Sequence, residues 1–456
     1  MRRQHLPETA DMAADPAACP RPVGARDRIR DDELGRRLHA QLRELYPICR
    51  SITGDGVRRT LQIVQRQIPL TVYEVPSGTQ AFDWTIPLEW HIDDAWVKNS
   101  RGDRIVDFRA HNLHVVGYSR PVRARVSRAD LLRHLHSVPT QPDVIPYRTT
   151  YYADDWGFCV PHNLLASLTE SEYDVCIDAR LEPGSLTYGE YVIPGSRAEE
   201  LLFSCHVCHP SLANDNLSAI VLAAQLARHL STVSTRYSYR FLFIPGTIGA
   251  LTWLSRNEER TASIRAGLVL TCLGDSGPFN YKRSSRGDTE IDRLVAHVFR
   301  HSGVACNVRD FSPYGYDERQ FCSPAFDLAV GRLSRSVHGE FPEYHTSADD
   351  LTFVTPAALA DSYAMLLAIV NAFESNLVFR NRFPKGEPQL GRRGLYGAIG
   401  GTDRGAREMA MLWVLNQANG TRTLLDIAER AALPFDRIHE AAVLLREHGL
   451  LEPCHT

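Results

Sequence analysis

Residues 201–220 read LLFSCHVCHPSLANDNLSAI, an apolar run that opens into a loop crowded with metal-ligating side chains. Leu201, Leu202 and Phe203 have the unbroken apolarity of a strand buried on both faces. Within two residues the chemistry changes to Cys205, His206, Cys208 and His209. Pro210, Asn214, Asp215, Asn216 and Ser218 follow, ahead of a helical pattern from Ile220 to Leu230. In open α/β sheets ligands gather outside the carboxyl ends of the strands, so a site is expected here.

Three chemistries compete for this stretch. Residues 205–209 match C-x-x-C-H, the haem-attachment pattern. That attachment requires export, and the first thirty residues contain neither an apolar h-region nor a small-residue cleavage site. A zinc ribbon needs a second close cysteine pair, whereas Cys19, Cys49, Cys159, Cys176, Cys272, Cys306, Cys322 and Cys454 stand singly. What remains is imidazole and carboxylate. His206 and His209, with Asp215 six residues further on, supply the nitrogen and oxygen donors that zinc takes in catalytic sites. The competing structural account is a hydrogen-bonded histidine pair with Asp215 capping the next helix, a position Asp favours.

The rest of the chain bounds the answer. A length of 456 residues suits two to three domains. Lys and Arg total 51 against 54 Asp and Glu, a formal net charge of -3, so no strong field recruits nucleic acid or an anionic membrane. No membrane-spanning run is expected, and ten unclustered cysteines fit a reducing, cytoplasmic setting.

Residues 1–31, with Pro7, Pro16, Pro20 and Pro22, read as a disordered lead-in. An amphipathic helix is predicted from Asp32, carrying Leu34, Leu38, Leu42 and Leu45. After the turn 54–56 a second helix places Val57, Leu61, Val64 and Ile68 on one face, and Leu70 to Val75 read as a strand. Residues 76–189 change to short strands and turns, including 95–98, 104–108, 113–118 and 175–177, and contain Trp84, Trp90, Trp96 and Trp156. They are expected to form an inserted, mainly β domain with the tryptophans in its core, the alternative being a lid or substrate-selecting surface. An α/β core at 32–75 resumes at 190–376, where strand-like runs 241–244 and 267–272 each end in a polar cluster. Further clusters follow at 314–321 and 340–347. From 391 onward, helices at 404–417, 423–431 and 435–448 and a short strand at 449–453 form a separate small domain. From Arg404 its six arginines face seven acids, which argues against DNA and for protein contact or dimerisation.

Taken together, SCHVCHPSLANDNLSA, SSRGDTEID, YGYDERQFCSP and PEYHTSADDL give the chain from Leu34 to Pro453 a specific likeness. It resembles the co-catalytic zinc aminopeptidase superfamily, which includes leucyl aminopeptidases, glutamate carboxypeptidase and single-zinc glutaminyl cyclases. More closely it looks like an aminopeptidase-like branch with an inserted β domain and a C-terminal winged helix, found in polysaccharide or secondary-metabolite clusters. The resemblance implies an α/β, doubly wound zinc-aminopeptidase-like sheet with one or two zinc ions. It further implies hydrolysis of a peptide or amide bond next to a free amine.

By that resemblance Asp215 corresponds to the carboxylate that bridges two zincs, and His345 to the late histidine ligand. The early histidine is His206 by strand register or His209 by likeness to the closer branch. The superfamily has His-x-Asp where this chain has His206-Val207-Cys208, so the usual orienting carboxylate is missing. Asp275 is the nearest further carboxylate ligand, with a turn role as the alternative. Tyr344 and Glu343 are expected at the substrate. The closer branch is expected to read Pro-Glu-Thr-Ile-Gly where this chain has Pro245-Gly246-Thr247-Ile248-Gly249, so the usual general base is absent. Glu318 and Asp317 are the catalytic candidates, with Glu340 and Glu343 as further carboxylates. The function expected is a zinc-dependent hydrolase acting on a small amine-bearing peptide or amide. The alternative is a catalytically impaired binding or regulatory protein on the same fold.

Overall fold

The computed structural model describes residues 28–395 and 404–454, so the expected lead-in lies outside the described residues as far as residue 27. These divide into two compact units, one within 24–370 and one from Asn371 onward. The first helix, Arg28–Leu45, begins ahead of Asp32 and buries Leu38, Leu42 and Leu45. The second, Asp55–Gln65, buries Val57, Leu61 and Val64, and the chain then enters the strand Thr71–Pro76.

An eight-stranded mixed sheet organises the first unit. Its order is Thr71–Pro76, Ser185–Ile193, Ser238–Ile244, Glu200–His206, Ile264–Leu270, Val330–Ser334, Phe279–Lys282 and Cys306–Arg309. The four middle strands, from Ser238–Ile244 to Val330–Ser334, run parallel. Glu200–His206 is buried at every residue, as its apolar run requires. From it the chain crosses through the helix Ala219–Leu230 to Ser238–Ile244 on one side, then through Ile248–Arg256 to Ile264–Leu270 on the other. Right-handed crossovers taken in opposite directions put the two helices on opposite faces, which makes the sheet doubly wound. That reversal also makes the carboxyl end of Glu200–His206 a topological switch point.

Register here is pinned by charge. Arg240 forks onto Glu200 at 2.6 and 2.7 Å and also pairs with Glu190, whose carboxylate accepts the Trp253 indole N–H at 2.9 Å. A one-residue slip would strand these buried groups without partners.

The segment between Thr71–Pro76 and Ser185–Ile193 builds a four-stranded antiparallel sheet from Arg104–Asp107, Glu89–Lys98, Glu172–Glu182 and Val122–Ser127. After Glu172–Glu182 the chain turns into Ser185–Ile193 and so rejoins the large sheet. Residues 113–118 depart from the strand expected there: Asn112–His114 is a 3-10 turn, followed by isolated bridges at Val115 and Gly117. The His111 side chain accepts from the Leu113 N–H at 3.2 Å, a local bond that competes with strand pairing. Trp90 and Trp156 are core residues, but Trp84 is 38% exposed and Trp96 lies under Lys98 and Arg104. One helix among the described residues, Pro356–Glu374, is long and apolar enough to cross a membrane by length and composition, contrary to the sequence expectation. Its apolar window is 61% buried within the fold, as in a core helix.

In the second unit Val378–Asn381 is the middle of a three-stranded sheet, between Asn419–Thr423 and Leu451–Pro453. The helices Arg404–Gln417, Leu424–Ala431 and Phe435–Glu447 fall where helical periodicity puts them. Thr423 and Asp426 form a capping box at the start of the second. Because Val378–Asn381 joins this sheet, a cut at 391 separates it from both partners. Truncation after Ser375 is therefore expected to leave a monodisperse protein with the metal content of the full chain. Truncation after Leu390 is expected to aggregate through its unpaired strand, as size-exclusion chromatography and metal analysis will show.

Candidate metal and active site

The large sheet ends its parallel strands at one crevice, and each strand end contributes a functional loop. His206 is the last residue of its strand and pairs in register with Ile244, two residues before Gly246. Beyond it Ala213–Ser218 is an irregular turn with every residue buried, and the Asp215–Asn216 peptide is cis. His345 lies on the loop that follows the strand Val330–Ser334.

These loops converge on Asp215. Its two carboxylate oxygens lie 2.8 Å from His206 Nε2 and 3.0 Å from His345 Nε2, though His345 is 130 residues away in sequence. His206, His209 and Asp215 each offer a donor atom within 4.8 Å of the others. The ring centroids of His206 and His209 are 4.7 Å apart, and those of His209 and His345 5.2 Å. Both early histidines that the sequence left as alternatives are therefore in the cluster.

Charge within this cluster suits a cation. Burial alone would raise the Asp215 carboxyl, but His209 and His206 and the hydrogen bonds from His206 and His345 outweigh it and hold the group well below the usual range. Burial, reinforced by the neighbouring His206, His345 and Arg50, keeps His209 far below an ordinary histidine and so neutral at pH 7. Imidazole nitrogens gathered around an ionised carboxylate form the donor set of a catalytic zinc site, so the residues fit the metal. The other potential ligand group among the described residues, Asp55, Glu89 and His91, already carries the Arg58 guanidinium on Asp55 and Glu89.

Contacts behind the cluster hold Asp215, His206 and His209 in place, and most of them were not legible in the sequence. Asp349, wholly buried, accepts from the Asn214 N–H at 2.6 Å and the Asp215 N–H at 2.9 Å. Burial pushes its own carboxyl well up, against the pull of those two N–H groups. The buried Arg50 donates to the His209 carbonyl at 2.7 Å. The Tyr316 ring stacks on His206 with centroids 4.9 Å apart. Asp349 was within reach of the sequence, since it ends the same PEYHTSAD run as His345, but nothing in that run marks a backbone acceptor.

Asp275 stands outside the group of His206, His209 and Asp215, among donors of its own. One of its oxygens accepts from Gly277 N–H at 2.6 Å and Ser336 hydroxyl at 2.7 Å, and the other from the Asn214 amide at 2.8 Å. Glu318 is likewise held away from base chemistry: it is completely buried and ion-paired to Lys282 at 2.6 Å, with Arg332 at 3.9 Å. Glu340 is bound by Arg309 at 2.6 and 2.8 Å. Asp317 is different. It is buried beside the glycine turn, accepts the Thr247 N–H at 2.6 Å, and is pushed up to about 6 by desolvation. Tyr344 stacks on His345 at 3.9 Å, and the Glu343 carbonyl accepts the Thr346 N–H in the same loop. Replacing Asp349 by Ala removes the acceptor for two buried N–H groups. A loss of about 3 kcal/mol in urea melts is expected, with weaker zinc retention on dialysis against a chelator.

Known proteins share this architecture. A family model described as a domain of unknown function, DUF4910, matches residues 39–376, and a winged helix-turn-helix model matches 377–453. A curated relative from Clostridium acetobutylicum, 50% identical over 92% of this chain and 97% of its own, carries the name "Putative polysaccharide biosynthesis protein with aminopeptidase-like domain". A crystal structure of a "putative peptidase" from Clostridium acetobutylicum superposes with a TM-score of 0.89 at 48% identity, covering 93% of this chain and 98% of that one. A zinc aminopeptidase from Bacillus subtilis shares the fold, with a TM-score of 0.53 at 12% identity over 74% of this chain and 94% of its own. With the family model spanning most of its length and a relative half identical almost end to end, the chain belongs to the DUF4910 family, on an aminopeptidase-like fold that carries a C-terminal winged helix.

Proposed function

We propose that the protein is a zinc-dependent hydrolase that cleaves a peptide or amide bond next to a free amine. The observation that carries this reading is the Asp215 carboxylate held between His206 and His345, with His209 beside them. These four residues would hold zinc, which would supply a Lewis acid for the scissile carbonyl and lower the pKa of water toward neutrality. Asp317 accepts the proton released by the attacking water and returns it to the leaving amine, in place of the glutamate missing at 246. Its support is its position against Thr247, its burial, and a carboxyl poised near operating pH. Glu343 holds the substrate amine and Tyr344 its carbonyl flank. The curated relative is named for polysaccharide biosynthesis and an aminopeptidase-like domain, in keeping with this reading. The charge-balanced winged-helix unit serves protein contact.

The second reading, a binding protein that keeps the metal without turnover, rests on the glycine at 246. Gly246 has no positive φ, and a Cβ there would meet Cys208 Sγ at 3.5 Å and His206 Cβ at 3.6 Å, which is ordinary contact. A side chain is therefore sterically admissible and would point at the histidine cluster, so the position is open to test. Asp317→Asn should lower kcat on aminoacyl amides by ~10²- to 10⁴-fold with zinc content unchanged. Adding Gly246→Glu to that variant should restore part of the rate, and Gly246→Gln none of it. Because Asp317 must be ionised to act, kcat/KM should fall as pH drops through about 6, or lower where the bound cation stabilises the carboxylate. A zinc-replete wild type with no amide turnover would favour the binding protein.

A further inference from the structure

Beside Gly246 opens a cavity of about 1050 Å³. Trp84, Tyr151 and Tyr152 line it from the strand-rich insertion, and Phe311 and Arg319 line it from the segment leading to and following Asp317. The Trp84 and Tyr152 rings meet edge to face at 5.7 Å, yet they remain 38% and 56% exposed. Large rings left uncovered around a concavity are the usual lining of a small-molecule site. Arg319 adds a polar group, and its Nε is buried without a hydrogen-bond partner.

Two contacts join this cavity to the metal cluster. Gly246 lines it and donates its N–H to Cys208 Sγ at 3.2 Å, and a Cβ added at Gly246 would lie 3.6 Å from His206 Cβ. Tyr151 lines it too, and its hydroxyl lies 3.2 Å from that of Tyr147, whose ring is 5.1 Å from His209 and 5.0 Å from His345. In an amide hydrolysed next to a free amine, the carbonyl would lie at the metal, and the substituent on the carbon between amine and carbonyl is carried into the space beside it.

We propose that this cavity receives a bulky aromatic substituent on the aminoacyl side of the substrate, selected by the insertion through Trp84, Tyr151 and Tyr152. Edge and face contacts with these rings favour an aromatic group over an aliphatic one of equal size, and the Arg319 guanidinium adds a cation–π partner. The inference rests on the hydrolase reading, and its test separates the two.

Full-length, zinc-loaded protein is titrated by calorimetry with L-phenylalanine hydroxamate and with glycine hydroxamate, which share the metal-binding group and the amine. Phenylalanine hydroxamate is expected to bind at least about tenfold more tightly. Trp84→Ala and Tyr152→Ala are expected each to reduce that preference severalfold while leaving the glycine hydroxamate affinity unchanged. Both rings are too exposed to support the core, and unaltered thermal melts would establish that the variants fold. Equal affinity for the two hydroxamates, or a preference untouched by both substitutions, overturns the inference and leaves the hydrolase reading standing. Failure of both hydroxamates to bind overturns the hydrolase reading and the inference with it.

Discussion

The carboxylate of Asp215 is the junction on which the site depends. It is completely buried, and an isolated buried carboxylate is expensive, so it persists only because two imidazoles approach its oxygens and its backbone is clamped from behind. Asp349 provides that clamp through the N–H groups of Asn214 and Asp215, and Asp275 holds Asn214 by its amide. Three buried acids thus divide the work: one faces the histidines, one fixes the backbone, and one fixes the side chain next door. Removing either of the last two leaves Asp215 in place chemically but free to drift, which a metal site does not tolerate.

The insertion belongs to the same device. Residues 145–147 run antiparallel to 345–347: Tyr147 N–H donates to the His345 carbonyl at 2.8 Å, and Ser347 N–H donates to the Ile145 carbonyl at 2.8 Å. His345 sits at a φ of 55°, a conformation few side chains adopt unaided, and this short ladder holds it there. A segment that looks separate in the sequence therefore positions His345 and walls the adjoining cavity.

Glu318 and Asp317, neighbours in the chain, have opposite fates. Glu318 turns inward onto Lys282 and Arg332, a buried arrangement in which removing one charge would leave the others uncompensated. Asp317 turns toward the glycine turn with a single backbone partner, which leaves its carboxylate capacity for another proton or donor. Sequence alone treats the two as equivalent because both are acids in one polar cluster.

The amino-acid order alone carried the fold class and marked three of the residues that cluster, His206, His209 and Asp215. The unbroken apolar run into Cys205 and His206 can only be a buried strand, and His209 and Asp215 follow it within one loop, so local chemistry was enough. The helices of the second unit were equally legible, because 3.6-residue periodicity and the Thr423 capping box are written in neighbouring residues. The 113–118 segment misled because a histidine side chain captured its backbone locally. Tertiary structure decided everything that depends on which oxygen faces which nitrogen across long separations. It assigned Asp275 to scaffolding, Glu318 to an ion pair, Asp349 to the clamp and Trp84 to a cavity wall. Each of those outcomes follows from direction, not composition: a carboxylate's chemistry is set by the groups its two oxygens meet, and only the packed chain brings those groups together.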